Sequence, residues 1–295
     1  MDSTPTKQHV ETEFKFRVPA NFELPSFPQS LGTWTTEATR NMDAIYWDTT
    51  DATLLRWGIT MRTRSGGGDD GWHLKIPTRP REQPKGASVR TELHRDPTSA
   101  TPPIEFLEML STVLQGSDVL PIARVRTERN PQALTGPSGQ IVELVDDRVT
   151  LTRNEVIVDQ FREIEIELTS ELGLPDALLI CEILRNAGAH TSSVSKAASA
   201  FGPDAKKQPD VPRLPTPDRT DLPCDLIRWA LSRQVRKIFY AELTSRLAGD
   251  THGLTRELIE LDALLKALRD WLNQAEQEFL EEDLTWLIRE LSIAA

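Results

Sequence analysis

The stretch that decides the fold is Val10-Glu11-Thr12-Glu13-Phe14-Lys15-Phe16-Arg17-Val18. Successive side chains of an extended strand point to opposite faces. One face therefore carries the charged side chains and the other carries the apolar ones, so the segment is predicted to be a strand. An ordinary surface strand shows the same alternation. The more specific feature is the run of two carboxylates and an ammonium group, which could provide metal ligands beside a phosphate-binding cation.

The same alternation recurs in short segments along the chain, and the sign of the charge differs between them. Basic side chains dominate the middle segments: Arg62, Arg64, Lys75, Arg90, Arg124 and Arg126. Carboxylates dominate the opening and closing segments: Glu11, Glu13, Glu163, Glu165 and Glu167. A solvated surface tends to mix signs within each strand, so this segregation indicates a binding site.

A sheet that closes with its charged faces inward would form a polar channel with a cationic part and an acidic part. The like charges within each part of such a channel repel one another when no ligand is bound. A polyanion with several phosphoryl groups would neutralise the cations, and Mg²⁺ or Mn²⁺ would bind the carboxylates. The predicted ligand is a linear triphosphate. The alternative is a sheet whose charged face is in water.

Three connecting segments also carry signals. The cluster Asp48-Thr49-Thr50-Asp51 predicts a turn or helix cap before a helical turn at residues 52–57. Residues 65–71, Ser-Gly-Gly-Gly-Asp-Asp-Gly, predict a hairpin loop; a phosphate-binding loop is rejected because no helix or Gly-Lys-Ser/Thr follows. The proline and glycine residues of segment 130–140 predict a turn between two strands.

Composition limits the class of protein. The chain has 295 residues and a net charge of −11, which argues against broad nucleic-acid binding. Its two cysteines, Cys181 and Cys224, suggest neither a disulfide framework nor a zinc site. We find no signal pattern and no apolar stretch long enough to span a membrane, so a cytoplasmic protein without membrane contact is expected.

The chain is predicted to have three parts: residues 1–202 hold the strands, residues 203–220 are a proline-rich linker, and residues 221–295 are helical. The helical tail would form a homodimer or dock on the strand domain, and the sequence leaves both options open.

A set of motifs in order along the chain resembles the CYTH superfamily, the triphosphate tunnel metalloenzymes. The matching motifs are Glu11-x-Glu13-x-Lys15, Tyr46-Trp47-Asp48-Thr49, Arg62-x-Arg64, Trp72-x-Leu74-Lys75, Arg90-x-Glu92, Arg124/Arg126, Glu143 to Asp147, Glu163-x-Glu165-x-Glu167 and Ser195-Lys196. They cover about residues 8–202.

The resemblance implies an α+β protein with an eight-stranded antiparallel β-barrel, surrounding helices and a helical C-terminal region. Members hydrolyse inorganic or thiamine triphosphate, cyclise ATP, or remove RNA 5′ phosphates. The helical partner of such barrels is usually a CHAD domain, a polyphosphate-associated module. Here the tail has nine Lys/Arg against fourteen Asp/Glu over residues 221–295, so it is expected to be a degenerate CHAD-like extension.

The resemblance also implies roles for individual residues. The expected metal ligands are Glu11, Glu13, Glu163, Glu165, Glu167 and Asp146. The expected substrate-binding cations are Lys15, Arg62, Arg64, Lys75, Arg90, Arg124, Arg126 and Lys196. Lys15, Tyr46 and Glu165 are the expected catalytic residues, with Tyr46 paired to Lys15 as in some relatives.

The leading hypothesis is a Mg²⁺- or Mn²⁺-dependent hydrolase that converts inorganic triphosphate to diphosphate and phosphate. Thiamine triphosphatase and class IV adenylate cyclase activities are alternatives, because loops decide recognition of an organic group. A non-catalytic protein that binds polyphosphate or nucleotide is a third hypothesis.

Overall fold

The structure, a computed structural model, describes residues 6–77, 84–97, 99–137, 139–201, 214–218, 223–249 and 251–272. Its strands are β1 (Lys7–Val18), β2 (Thr33–Thr36), β3 (Arg40–Asp48), β4 (Thr60–Ser65), β5 (Gly71–Pro77), β6 (Ser88–Arg95), β7 (Leu120–Gly136), β8 (Gly139–Arg153), β9 (Val156–Leu168) and β10 (His190–Thr191). Its helices are α1 (Thr53–Arg56), α2 (Ile104–Met109), α3 (Ser111–Leu114), α4 (Leu174–Asn186), α5 (Lys196–Phe201), α6 (Pro223–Ala248) and α7 (His252–Leu272).

Antiparallel pairing joins the strands in the order β1-β6-β5-β4-β3-β7-β8-β9, and β9 pairs back onto β1. The predicted eight-stranded barrel is therefore confirmed. Strand β1 closes the barrel by pairing with two strands: residues 7–13 pair with β6, and residues 13–18 pair with β9. The short strands β2 and β10 pair with the outer parts of β7 and β1.

The apolar faces of the strands point out of the barrel and need cover, which α4 provides. Phe14 and Phe16 of β1 belong to one buried cluster with Ile180 and Leu184 of α4. Each buried side chain of this size contributes about 1.5–3 kcal/mol relative to exposure. Because the apolar faces of β1 and β9 pack under α4, their charged faces turn into the lumen.

Strand β7 is longer than predicted, and the expected turn at 130–140 shrinks to the connection between Gly136 and Gly139. Pro131 lies inside the strand, where proline is normally excluded because it lacks an N–H. Its neighbour β3 pairs only as far as Arg129, and β2 begins pairing at Gln132. Pro131 therefore occupies the gap between two partner strands.

The predicted cap at residues 48–51 forms as expected. Asp48 is buried, and its carboxylate accepts hydrogen bonds from the backbone N–H groups of Leu54 (2.8 Å) and Leu55 (2.9 Å) and from that of Thr49 (2.7 Å). These bonds tie the end of β3 to the first turn of α1, where backbone N–H groups otherwise lack partners.

We expect Asp48→Ala to destabilise the barrel by about 2–3 kcal/mol, because buried N–H groups would lose their acceptor. Urea unfolding of the full chain measures this change. Exposed Asp96, just after β6, provides the control Asp96→Asn, for which the expected change is within about 0.5 kcal/mol. A loss below about 0.5 kcal/mol for Asp48→Ala would contradict the assigned capping role.

The chain divides into two compact units. Residues 1–103 and 119–207 form the first, which holds the barrel, and residues 104–118 and 208–295 form the second. In the second unit, Ile227, Leu231 and Val235 of α6 pack with Leu268 of α7, so the helical C-terminal region is confirmed as far as residue 272. The predicted linker lies outside the described residues except for 214–218, and so do residues 273–295. No described helix combines the length and apolar character needed to cross a membrane.

Candidate functional site

The barrel lumen contains a cavity of about 920 Å³ whose walls are densely charged. The cationic side chains that line it are Lys15, Arg40, Arg62, Arg64, Lys75, Arg90, Arg129 and Lys196. The acidic ones are Glu11, Glu13, Asp69, Glu92, Glu143, Glu165 and Glu167. All of them belong to the barrel unit. Strand alternation brings them to one side of the sheet, except for Asp69 of the β4–β5 connection and Lys196 of α5.

Four carboxylates, the carboxylate row, form the first acidic group: Glu11, Glu13, Glu143 and Glu167. Cross-strand pairing places Glu167 of β9 opposite both Glu13 of β1 and Glu143 of β8. Burial, followed by the nearby charges of Glu11 and Glu143, raises the pKa of Glu167 to about 7. Among the ion pairs of the described residues, Lys75 Nζ lies 2.5 Å from Glu11 Oε2, whereas Lys15 is 3.7 Å from Glu13, Arg40 is 3.8 Å from Glu143, and no cation contacts Glu167. The carboxylate row is therefore short of positive charge.

A second acidic group, Asp147, Glu163 and Glu165, lies deeper and has carboxylate oxygens within 4.8 Å of one another. The geometry would suit a metal ion, but Lys196 Nζ contacts all three carboxylates, at 2.9 Å for Asp147 and 3.0 Å for Glu165. Arg129 bridges Asp147 (2.7 Å) and Glu165 (2.9 Å).

The charges of this second group are balanced by its cations. Lys15 Nζ lies 2.7 Å from Glu165, so Glu165 alone contacts three cationic side chains. Burial disfavours the ionised form of Glu165, but Lys15, Lys196 and Arg129 together hold its pKa well below its usual range. Unlike the carboxylate row, this group is already neutralised without a metal.

The opposite wall is cationic and short of acceptors. The Nε atoms of Arg62 and Arg64 are buried and have no hydrogen-bond partner among the described residues. Burial, Arg62 and Arg129 lower the pKa of Arg64 to about 9, because each added positive charge repels the others. The hydroxyl of Tyr46 accepts a hydrogen bond from Arg62 at 3.3 Å. Burial opposes ionisation of this phenol, but Arg62 and Lys196 lower its pKa.

Glu92 links the two walls. One carboxylate oxygen lies 2.9 Å from His73 Nδ1, and the other lies 3.5 Å from Lys75 Nζ and 3.4 Å from His9 Nε2. Burial disfavours its charge, but Lys75, His73 and His9 hold its pKa well below the usual range. Glu92 thus fixes Lys75 between the cationic wall and Glu11.

Most residues predicted for the site line the cavity, and four do not. Arg124 and Arg126 project from the outer face of β7, with half or more of each side chain exposed, and both pair with Asp43. Asp146 pairs with Arg162 through two hydrogen bonds rather than facing the lumen. Glu163 lies in the second acidic group, below the lining side chains.

The predicted Lys15–Tyr46 pairing is also absent among the contacts of the described residues. Tyr46 bonds to Arg62, whereas Lys15 contacts Glu165 and, at 3.7 Å, Glu13. Any activating partner of Lys15 in this structure is therefore a carboxylate.

The structure adds residues that the sequence analysis did not select: Arg40, Glu92, Arg129, Glu143 and Asp147. Glu92 shares a strand face with Arg90, so alternation could have identified it. Asp147 faces away from its neighbour Asp146, and alternation does not show which of the two faces inward. Alternation within β7 assigned Arg129 to the apolar face, opposite Arg124 and Arg126. The sequence of this strand does not show which of its two faces points inward.

An antiparallel barrel with an ionic lumen of this kind defines a class of proteins, and comparison with known families identifies it. The chain belongs to the CYTH family, because residues 9–198 match the CYTH domain. The match ends before the helical tail, so the CHAD-like character of the tail stays a prediction.

Two uncharacterized proteins of Mycobacterium tuberculosis, from strains CDC 1551 and H37Rv, are each 30% identical over 308 aligned positions. The match covers 96% of this chain and 56% of each relative, so the chain spans about half their length. Among solved structures, HpAC1 of Hippeastrum, described with a dominant triphosphatase activity, is 19% identical, covers 65% of this chain and 95% of its own, and has a TM-score of 0.39. The family assignment rests on the domain match.

Proposed function

We propose that the barrel is a divalent-metal-dependent hydrolase that converts inorganic triphosphate to diphosphate and phosphate. CYTH family membership supports chemistry on a triphosphate compound. The observation that carries the proposal is the pair of unsatisfied walls. Buried guanidinium Nε atoms lack acceptors on one side, and on the other side a crowded row of four carboxylates has one cation, Lys75, in close contact among the ion pairs of the described residues. A triphosphate bound with a dication satisfies both walls at once.

The cationic wall provides the grip on phosphate oxygens. Arg62 and Arg64 offer planar guanidinium groups that hold two oxygens each, and Lys75 adds a point charge. Because Arg62 and Lys75 are mostly buried and contact Glu92, and Arg62 also contacts Tyr46, these two groups would stabilise developing negative charge without reorganising. Lys15 and Lys196 face the substrate from the other side while anchored to Glu165.

The carboxylate row provides the donors that fit Mg²⁺ or Mn²⁺. Both ions prefer oxygen ligands, and the like-charge crowding that raises the pKa of Glu167 is relieved by a bound cation. Glu11, Glu13, Glu143 and Glu167 would hold the ion, whereas the group around Lys196 orders the cations instead. With a divalent cation held there, the row would supply a site that lowers the pKa of the attacking water and offsets phosphate charge.

Inorganic triphosphate is favoured over a nucleotide because no exposed Phe, Tyr or Trp ring lines the cavity among the described residues. Among the described lining residues, Tyr46 is the only Phe, Tyr or Trp side chain, and it is buried against Ala123 and Val125. Stacking of a base on an aromatic ring would need an exposed ring face.

Steady-state assays with tripolyphosphate, ATP and thiamine triphosphate, each with Mg²⁺ or Mn²⁺, test the proposal. We expect kcat/KM to be highest for tripolyphosphate. A higher value for ATP or thiamine triphosphate would move the assignment to cyclase or thiamine triphosphatase activity. Tight binding without turnover of any compound would establish a binding protein instead.

Metal affinity is expected to fall as the pH drops below about 7. Glu167 has a pKa near 7 in the metal-free protein, and a carboxyl group must lose its proton to ligate a metal. At pH 6 the carboxyl is therefore about 90% protonated, and Mn²⁺ affinity is expected to be about tenfold lower than at pH 8. Binding at pH 6 should release about one proton.

Calorimetric titration of the full chain with Mn²⁺ in buffers of different ionisation enthalpy measures both quantities. The variant Glu167→Gln serves as the reference, because it cannot release this proton. Equal Mn²⁺ affinity at pH 6 and pH 8 in the unmodified chain would contradict the role given to Glu167.

A further inference from the structure

The glycine-rich connection between β4 and β5 borders the cavity while most of its residues remain exposed to solvent. Gly67, Gly68 and Asp69 of this mouth loop, defined as residues 66–70, line the cavity. The loop approaches its neighbours so closely that only glycine fits at each side. A Cβ on Gly66 would lie 2.1 Å from the Asn41 carbonyl oxygen, and one on Gly71 would lie 2.1 Å from that of Arg95.

Hydrogen bonds hold the mouth loop in one conformation. The Asp70 carboxylate accepts from the backbone N–H groups of Gly66 (2.8 Å) and Gly67 (3.3 Å). The ring nitrogens of His73 and His94 donate to the carbonyl oxygens of Asp69 (2.9 Å) and Asp70 (3.1 Å). A hairpin loop of this composition would otherwise be flexible, so these contacts place Asp69 at a defined position.

At that position the Asp69 carboxylate forms an ion pair with Arg64. The Arg64 side chain is 10% exposed, and that of Asp69 is 49% exposed. An anionic oxygen from a half-exposed loop thus contacts a guanidinium group that lies almost entirely within the lumen. A phosphate oxygen would make the same contact, since arginine binds carboxylate and phosphate with one geometry.

We propose that Asp69 is an internal competitor for the anion site on Arg64. The Asp69 carboxylate binds the Arg64 guanidinium group when the cavity holds no ligand, and a phosphoryl group of the bound triphosphate displaces this carboxylate. This inference rests on the proposed function, because it concerns the same cavity.

Competition at Arg64 affects both entry and release. Arg64 follows Arg62 by two residues on one strand face, about 6.6 Å further along β4. A phosphate chain held at Arg62 therefore reaches Arg64 next to the mouth loop. After hydrolysis the carboxylate returns to Arg64, which weakens the hold on the shorter product.

The variant Asp69→Asn tests the competition. We expect tripolyphosphate and diphosphate to bind about fivefold more tightly to this variant in metal-free calorimetry, because their oxygens no longer compete with a carboxylate. Asp96→Asn is the matched control, since it removes the same charge from an exposed position just beyond β6. Its affinity is expected to stay within twofold of the unmodified chain.

The same substitution in a chain that also carries Arg64→Gln separates competition at Arg64 from a general effect of removing a negative charge. In Arg64→Gln chains, Asp69→Asn should give no gain in affinity, because the contested group is gone. Hydrogen exchange of residues 66–71 in the unmodified chain should become faster when tripolyphosphate binds, as the loop loses its contact with Arg64.

The outcomes distinguish the two proposals. If the unmodified chain binds tripolyphosphate and Asp69→Asn brings no gain, the competition is refuted while the proposed function stands. An equal gain in the Arg64→Gln background, or slower exchange of the loop on binding, also refutes it. If neither chain binds tripolyphosphate, the proposed function fails and the competition fails with it.

Discussion

Glu167→Gln is expected to lower triphosphate turnover by at least about 100-fold while metal-free binding of tripolyphosphate persists. Glu167 stands in the middle of the carboxylate row, opposite Glu13 and Glu143. An amide removes a ligand charge but keeps the shape of the side chain. The cations that grip phosphate lie on other residues, so binding and turnover should separate.

Glu128→Gln provides the matched control, because Glu128 lies on the outer face of β7 and pairs with exposed Arg148. Its turnover should stay within about twofold of the unmodified chain. Glu165→Gln would be a poorer test, since it frees three buried cations at once and perturbs folding. Unchanged turnover in Glu167→Gln, at saturating Mg²⁺ and Mn²⁺, would remove the carboxylate row from the mechanism.

The second large effect is expected from Arg129→Gln, which should destabilise the barrel by about 3–5 kcal/mol and abolish turnover. Arg129 bridges Asp147 and Glu165, and its removal leaves buried carboxylates with too little positive charge. Urea unfolding measures the first effect, and steady-state assays measure the second.

Arg124→Gln makes the comparison specific, because this arginine lies on the same strand with its side chain half exposed. Its ion pair with Asp43 is on the surface, so both the stability of the barrel and turnover are expected to be preserved. If Arg124→Gln proved the more damaging of the two changes, the inward face of β7 would be misassigned.

The arginines of β7 show how far sequence reasoning reaches. Alternation predicts that one face of a strand is charged, but closure of the barrel decides which face points inward. On β1 and β9 the apolar faces are continuous, so their packing under α4 selects the orientation. On β7 the face with Arg124 and Arg126 also looks charged, whereas the true inward face carries Val125, Thr127 and Arg129. Only the pairing with β3 and β8 resolves this ambiguity.

The balance of charge within the site is equally invisible along the sequence. Glu163 and Glu165 match the pattern of metal ligands, and their oxygens do approach one another. What alternation does not reveal is that Lys196, more than thirty residues later on α5, inserts its ammonium group between them. The predicted phosphate-binding cation thus also serves as a counter-ion. The cytoplasmic location, the oligomeric state and the part played by the helical tail stay predictions.

Sharing of β1 between two neighbours has a consequence for synthesis. While the nascent chain emerges from the ribosome, β1 can pair with β6 but must wait for β9, whose paired residues 162–167 come some 150 positions later. Until then half of β1 is an unpaired edge with phenylalanines exposed. Truncations that stop before residue 168 should consequently yield aggregating fragments, and chaperone dependence should be greatest for ribosome-bound chains just short of that length.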